Sequence, residues 1–182
     1  MSFGRIGGML VVGGCVLFMI AVAIAMGGGS VGLGGRDVGG LVLAASLALL
    51  GSGAAVLSVA GPRPLNGRAV RVGLGILAVG LLSSLASSIM EPPIFAWLIG
   101  GLLATVLGAL ITGLSLVRRP GPSRAVGSLL LAGMLLLVLT TLASPAVDQQ
   151  LQEIAGALAV LGGTGVGVLA INGSRSAPVP SV

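Results

Sequence analysis

The chain has 182 residues, of which 55% are apolar and only 7% charged, with a mean hydropathy of +1.18. Soluble domains carry roughly a quarter of their residues as Asp, Glu, Lys or Arg, so composition alone excludes a water-soluble globule. The net charge of +5 comes from nine arginines against four acids, with no lysine or histidine. Those arginines stand singly or in small groups beside apolar runs and form no continuous basic patch. Nucleic acid is therefore not an expected partner; the lipid bilayer is.

Six apolar runs follow one another, at 6–26, 38–60, 72–90, 94–117, 125–143 and 154–171, and none contains Asp, Glu, Arg, Lys or His. About 20 apolar residues at 1.5 Å rise each cross a hydrocarbon core of roughly 30 Å, so each run is a predicted membrane span. The expected fold is all-α, a polytopic membrane protein whose six transmembrane helices pair as three tandem helical hairpins. Residues 1–182 read as a single membrane domain, with repeat units at about 5–62, 71–119 and 124–175. The first run has a rival reading. Arg5, the apolar stretch and Ala23-Ile24-Ala25 resemble a secretory signal with a small-residue cleavage site. Cleavage would leave five spans and break the alternation of charge described next.

Arg5 precedes the first run; Arg63, Arg68 and Arg71 lie in the second connection; Arg118, Arg119 and Arg124 in the fourth; and Arg175 follows the last run. Only Arg36 falls on the other side, which also receives Asp37, Glu91, Asp148 and Glu153. Arginine-rich connections stay in the cytoplasm, which predicts that both termini are cytoplasmic; the lysine-free, Ala/Gly/Val-rich composition suggests a prokaryotic source and hence a plasma (inner) membrane protein.

Three arginines open glycine- and leucine-rich runs: Arg5 through Gly13, Arg71 through Gly80 and Arg124 through Gly133. Each begins an odd-numbered helix. The returning helices carry small residues at every fourth position: Gly40, Ala44, Ala48 and Ser52; Gly100, Ala104, Gly108 and Thr112; Ala155, Ala159, Gly163 and Gly167. Small residues let helix backbones approach closely in lipid, so these tracks are the expected packing seam. The alternative is chance recurrence in an Ala/Gly-rich chain, and the fourth helix offers a second track at Gly101, Thr105, Ala109 and Gly113.

Three two-helix units, each opened by a basic residue and a Gly/Leu run and closed by a glycine-punctuated return, resemble the HdeD family of bacterial inner-membrane proteins. The resemblance implies a six-helix inner-membrane protein associated with survival under acid stress, and it brings no catalytic residues with it. Three Phe and one Trp are fewer aromatics than that family leads one to expect.

The residue inventory argues against catalysis. Serine proteases of the Ser–His type need a histidine, Ser–Lys enzymes need a lysine, and thiol chemistry of the quinone-coupled kind needs two cysteines where this chain has Cys15 alone. Metal sites want His or Cys clusters. No catalytic, cofactor or metal residue is expected, and the charge-free spans also weaken ion-coupled transport. What remains is hydroxyl chemistry. Ser83, Ser84, Ser87 and Ser88 stack at i,i+4 spacing, Glu91 follows, and a shift of 53 residues brings Thr140 and Thr141 to the positions of Ser87 and Ser88. Ala21 and Val22 hold that level in the first helix. These residues form either a polar pocket for a small solute or lipid headgroup, or ordinary interhelical packing. Three functional classes follow: a non-enzymatic envelope protein, a small-solute channel or carrier, and an accessory subunit docked to another membrane protein or to a second copy of itself.

Overall fold

A computed structural model describes residues 2–27, 37–89, 95–142 and 149–175. They form six α-helices: α1 Phe3–Met26, α2 Val38–Ala60, α3 Arg68–Ile89, α4 Phe95–Val117, α5 Pro122–Leu142 and α6 Gln149–Arg175, with one 3-10 turn at Arg63–Leu65. All six are long and apolar enough to cross a bilayer, and no strand occurs among the described residues. The chain is an all-α, multi-pass membrane protein.

Several helices start before their apolar run does: α1 by three residues, α3 by four and α5 by three. Main-chain hydrogen bonding does not stop where hydrocarbon stops, so a polar first turn can extend the helix past the span. Local chemistry sets the ends. The Asp37 carboxylate accepts the Gly40 amide at 2.8 Å, satisfying one of the unpaired donors of α2 and placing negative charge at the positive end of its dipole. Between α4 and α5 the chain turns through Pro120-Gly121-Pro122. Gly121 has φ +84°, a left-handed conformation that glycine adopts without penalty, and Pro122 opens α5 where a missing amide is harmless.

Each helix packs on its neighbours in sequence, most extensively within the pairs α1/α2, α3/α4 and α5/α6, and α1 packs on α6. The result is a closed ring. Within each pair two glycines bring the backbones together. A β-carbon on Gly14 would lie 2.6 Å from Leu50 Cγ, and one on Gly53 would lie 2.8 Å from Val11 Cγ2. Gly80 lies against the Thr105 backbone and Gly108 against that of Leu77. Gly133 lies against the Ala159 backbone, and a β-carbon on Gly162 would come 2.6 Å from Leu130 Cα. Closure between α1 and α6 uses the same device: a β-carbon on Gly8 would lie 2.7 Å from the Gly167 carbonyl, and one on Gly167 would lie 2.8 Å from the Gly8 carbonyl.

The apolar core is concentrated at the end of the ring that carries the arginines. Val11 and Cys15 of α1, Leu57 of α2, Val70 and Leu74 of α3, Leu116 of α4, and Val166 and Ala170 of α6 meet there. Leu65, in the 3-10 turn, joins them at 0% exposure, and this turn packs on α6. The second connection thus folds under the ring and inserts a leucine into it. Toward the opposite end most buried residues are small or hydroxylated, among them Ala21, Ser46, Ser84, Ser87, Thr140 and Ala155. Large apolar side chains such as Val16, Val79, Leu103 and Leu139 face outward, as expected of helices solvated by lipid.

Candidate functional site

The serines of α3 and the threonines of α5 were the strongest polar grouping in the sequence, and the structure puts much of their hydroxyl capacity to local use. Ser84 is buried and donates to the Gly80 carbonyl one turn earlier at 3.0 Å. Thr140, also buried, donates to the Leu137 carbonyl at 3.0 Å. Ser87 is buried at 1% exposure, and Ser83 is half-buried. Ser88 and Thr141 lie on α3 and α5 with side chains outside the described set, and Glu91 falls outside the described residues. Ala21 of α1, Ser87 of α3 and Thr140 of α5 each stand sixteen residues after Arg5, Arg71 and Arg124, and all three are buried. The two hydroxylated positions therefore occupy a level that the first helix fills with a methyl group.

The small-residue tracks are split by the structure. On α4, Gly108 and Thr112 are buried against α3, Ala104 is half-buried, and Gly100 is exposed, with nothing within 4 Å of where its β-carbon would be. On α2, Gly40 is buried, Ala44 and Ala48 are half-buried, and Ser52 is exposed. On α6, Ala155 is buried and Ala159 meets α5, but a β-carbon on Gly163 would lie 3.2 Å from Cys15 Sγ of α1, and Gly167 faces Gly8 and Val12. The physical reason is helical pitch. Four residues turn the chain about 40° past a full revolution, so a four-residue track winds off one neighbour and onto another. Contacts between near-antiparallel helices alternate three and four. Accordingly Gly101, Thr105, Gly108 and Thr112 of α4 meet α3, and Leu50, Gly53 and Leu57 of α2 meet α1.

Two interior hydroxyls stand outside the serine and threonine grouping, and the sequence names only Thr112, as a member of the α4 packing track. Ser46 is fully buried and donates across the helix pair to the Gly14 carbonyl at 2.9 Å. Thr112 is fully buried, and its Oγ1 finds no hydrogen-bond partner. A β-carbon on Gly73 would lie 2.5 Å from that oxygen. Ser46 sits two residues off the α2 track of Ala44 and Ala48, so the four-residue pattern could not flag it. Cys15, 4% exposed, is hydrogen-bonded to Thr164 of α6. No group of three or more His, Cys, Asp or Glu side chains comes together among the described residues.

Compared with protein-family models, curated proteins and solved structures, the chain matches none.

Proposed function

We propose that this protein is a non-catalytic membrane scaffold of the prokaryotic plasma (inner) membrane, with both termini cytoplasmic, that stabilises or senses the envelope under acid stress as its resemblance to HdeD proteins implies. The observation that carries this reading is how the interior hydroxyls are used. Ser58, Ser84, Thr105, Ser115 and Thr140 each donate to a carbonyl of their own helix, and Ser46 to a carbonyl of the adjoining one. Hydroxyls satisfied by helix carbonyls leave little to line a path for a solute, and the Ser46 bond also ties α2 to α1.

A threefold hairpin repeat is part of the proposal. Gly14, Gly80 and Gly133 each stand nine residues after Arg5, Arg71 and Arg124, and each meets its return helix at Leu50, Thr105 and Ala159. Three residues further along each return, Gly53, Gly108 and Gly162 meet Val11, Leu77 and Leu130, which stand six residues after the same arginines. Such a reciprocal pair of close approaches at matching offsets is what three copies of one hairpin would retain. Orientation rests on the eight arginines that share one side of the membrane with no acid among the connections there.

The test is survival of a deletion strain after acid challenge, with the intact gene restored in parallel. Loss of survival that the restored gene reverses is expected. Equal survival of deleted and intact strains would remove the envelope-stress role. Solute flux through reconstituted vesicles above that of empty vesicles would favour a channel instead.

A further inference from the structure

We infer that the arginine-bearing end of α3 and α4 is a binding site for an anionic phospholipid, its headgroup phosphate held by Arg68, Arg71, Arg118 and Arg119 and its acyl chains lying along the apolar faces of the same two helices. Three features converge on this end of the bundle.

The first is juxtaposition. Arg119 follows α4, yet its guanidinium lies against Gly67, in the space a β-carbon there would occupy. Gly67 is the residue whose carbonyl accepts the Arg71 amide at 2.9 Å in the opening turn of α3. The fold therefore carries an arginine from the fourth connection onto the start of α3, where Arg68 and Arg71 already stand. Arg68 and Arg118 are exposed, and Arg71 and Arg119 are half-buried.

The second is charge. Residues 61–71 and 117–126 contain no Asp or Glu, and the first turn of α3 has no acid. The α3 N-terminus bears partial positive charge, which adds to the attraction of Arg68 and Arg71 for an anion. Forked guanidinium donors match the oxygens of a phosphate.

The third separates a lipid from a soluble phosphate. Immediately along the helices from these arginines the outward side chains are apolar and repeat every seven residues: Val72 and Val79 on α3, Leu114 and Leu107 on α4, all 51%, 63%, 48% and 55% exposed respectively. A cationic rim continuous with an apolar wall matches a phospholipid from headgroup to chain. The site needs no assignment of which leaflet it faces.

The experiment uses the full chain purified in mild detergent, incubated with equimolar phosphatidylglycerol and phosphatidylcholine, and stripped of loose lipid by gel filtration before retained lipid is measured by mass spectrometry. Phosphatidylglycerol is expected to be strongly enriched. One arginine near an anionic surface is worth about fivefold, equivalent to about 1 kcal/mol, so R71Q/R119Q should lower its retention by about 25-fold. Because R71Q/R119Q removes partly buried groups, R68Q/R118Q, which changes exposed side chains only, provides a second variant with an expected loss of similar size. Equal retention of the two lipids by the unaltered protein would overturn the proposal, as would undiminished enrichment in both variants. Displacement of phosphatidylglycerol by inorganic phosphate, but not by chloride at matched ionic strength, would also overturn it in favour of a soluble phosphate.

Discussion

The Ser46 hydroxyl donates to the Gly14 carbonyl at 2.9 Å across 32 residues of sequence, and it does so where a β-carbon on Gly14 would collide with Leu50. The absence of a side chain on Gly14 is what brings its carbonyl within reach of α2. Replacing Ser46 by Ala should cost about 0.6 kcal/mol, the average for such bonds between membrane helices, since the carbonyl keeps its place in α1. Reversible unfolding in mixed micelles measures it; a loss of several kcal/mol would mean the hydroxyl has a further partner.

A packed and an exposed glycine of one helix should respond in opposite ways. Gly108→Ala drives a methyl group into the Leu77 backbone, and overpacking of this kind costs about 1–3 kcal/mol. Gly100→Ala meets nothing within 4 Å and adds helix propensity worth up to about 1 kcal/mol, so stability should hold or rise. Thermal denaturation of the two variants in the same detergent decides the matter. Similar losses in both would mean that the four-residue track, not the three-four pattern, forms the seam.

Leu65 is expected to behave as a core residue although it lies in a connection. It is 0% exposed and sits among Leu57, Val70, Leu74 and Leu116. Leu65→Ala should cost about 2–5 kcal/mol, the range for buried leucines, whereas Asn66→Ala, at an exposed neighbour, should change little. The comparison of unfolding midpoints distinguishes a packed plug from a solvated loop.

Cys15 offers a probe of ring closure. It is 4% exposed between α1 and α6, so a maleimide should leave it unmodified in the folded protein and label it fully after denaturation. Gly167→Val, which sets a branched side chain against Gly8 and Val12, should open this contact and speed labelling. Rapid labelling of the unaltered protein would show that α1 and α6 part readily.

Orientation has its own test. Reporter fusions after Arg68, Glu91 and Arg124 should signal cytoplasm, the opposite side and cytoplasm in turn. An external signal at Arg68 would reverse the assignment made from the arginines.

Much of the polar cluster was legible in advance because hydroxyls in a charge-free span stand out. Their use was not. Whether Ser84 points to a neighbour or back to Gly80 depends on side-chain rotation and on the nearness of Gly101, whose added β-carbon would lie 2.6 Å from the Ser84 oxygen. Ser46 was harder still, since a single hydroxyl in an apolar run carries no pattern of its own.

By itself the sequence determined the solvent, the number of helices and the side on which the arginines gather, because each follows from transfer energies summed along one segment at a time. Tertiary structure alone decided which face of each helix is the seam. An excess rotation of about 40° per four residues turns Gly100 and Ser52 out to the exterior and Gly163 and Gly167 toward α1, and that angle matters only once a second helix is present. It also decided that Leu65 would be core and that Arg119 would reach Gly67. Both depend on how connections fold back over the ring, and contacts between segments distant in sequence leave no periodic trace in either one.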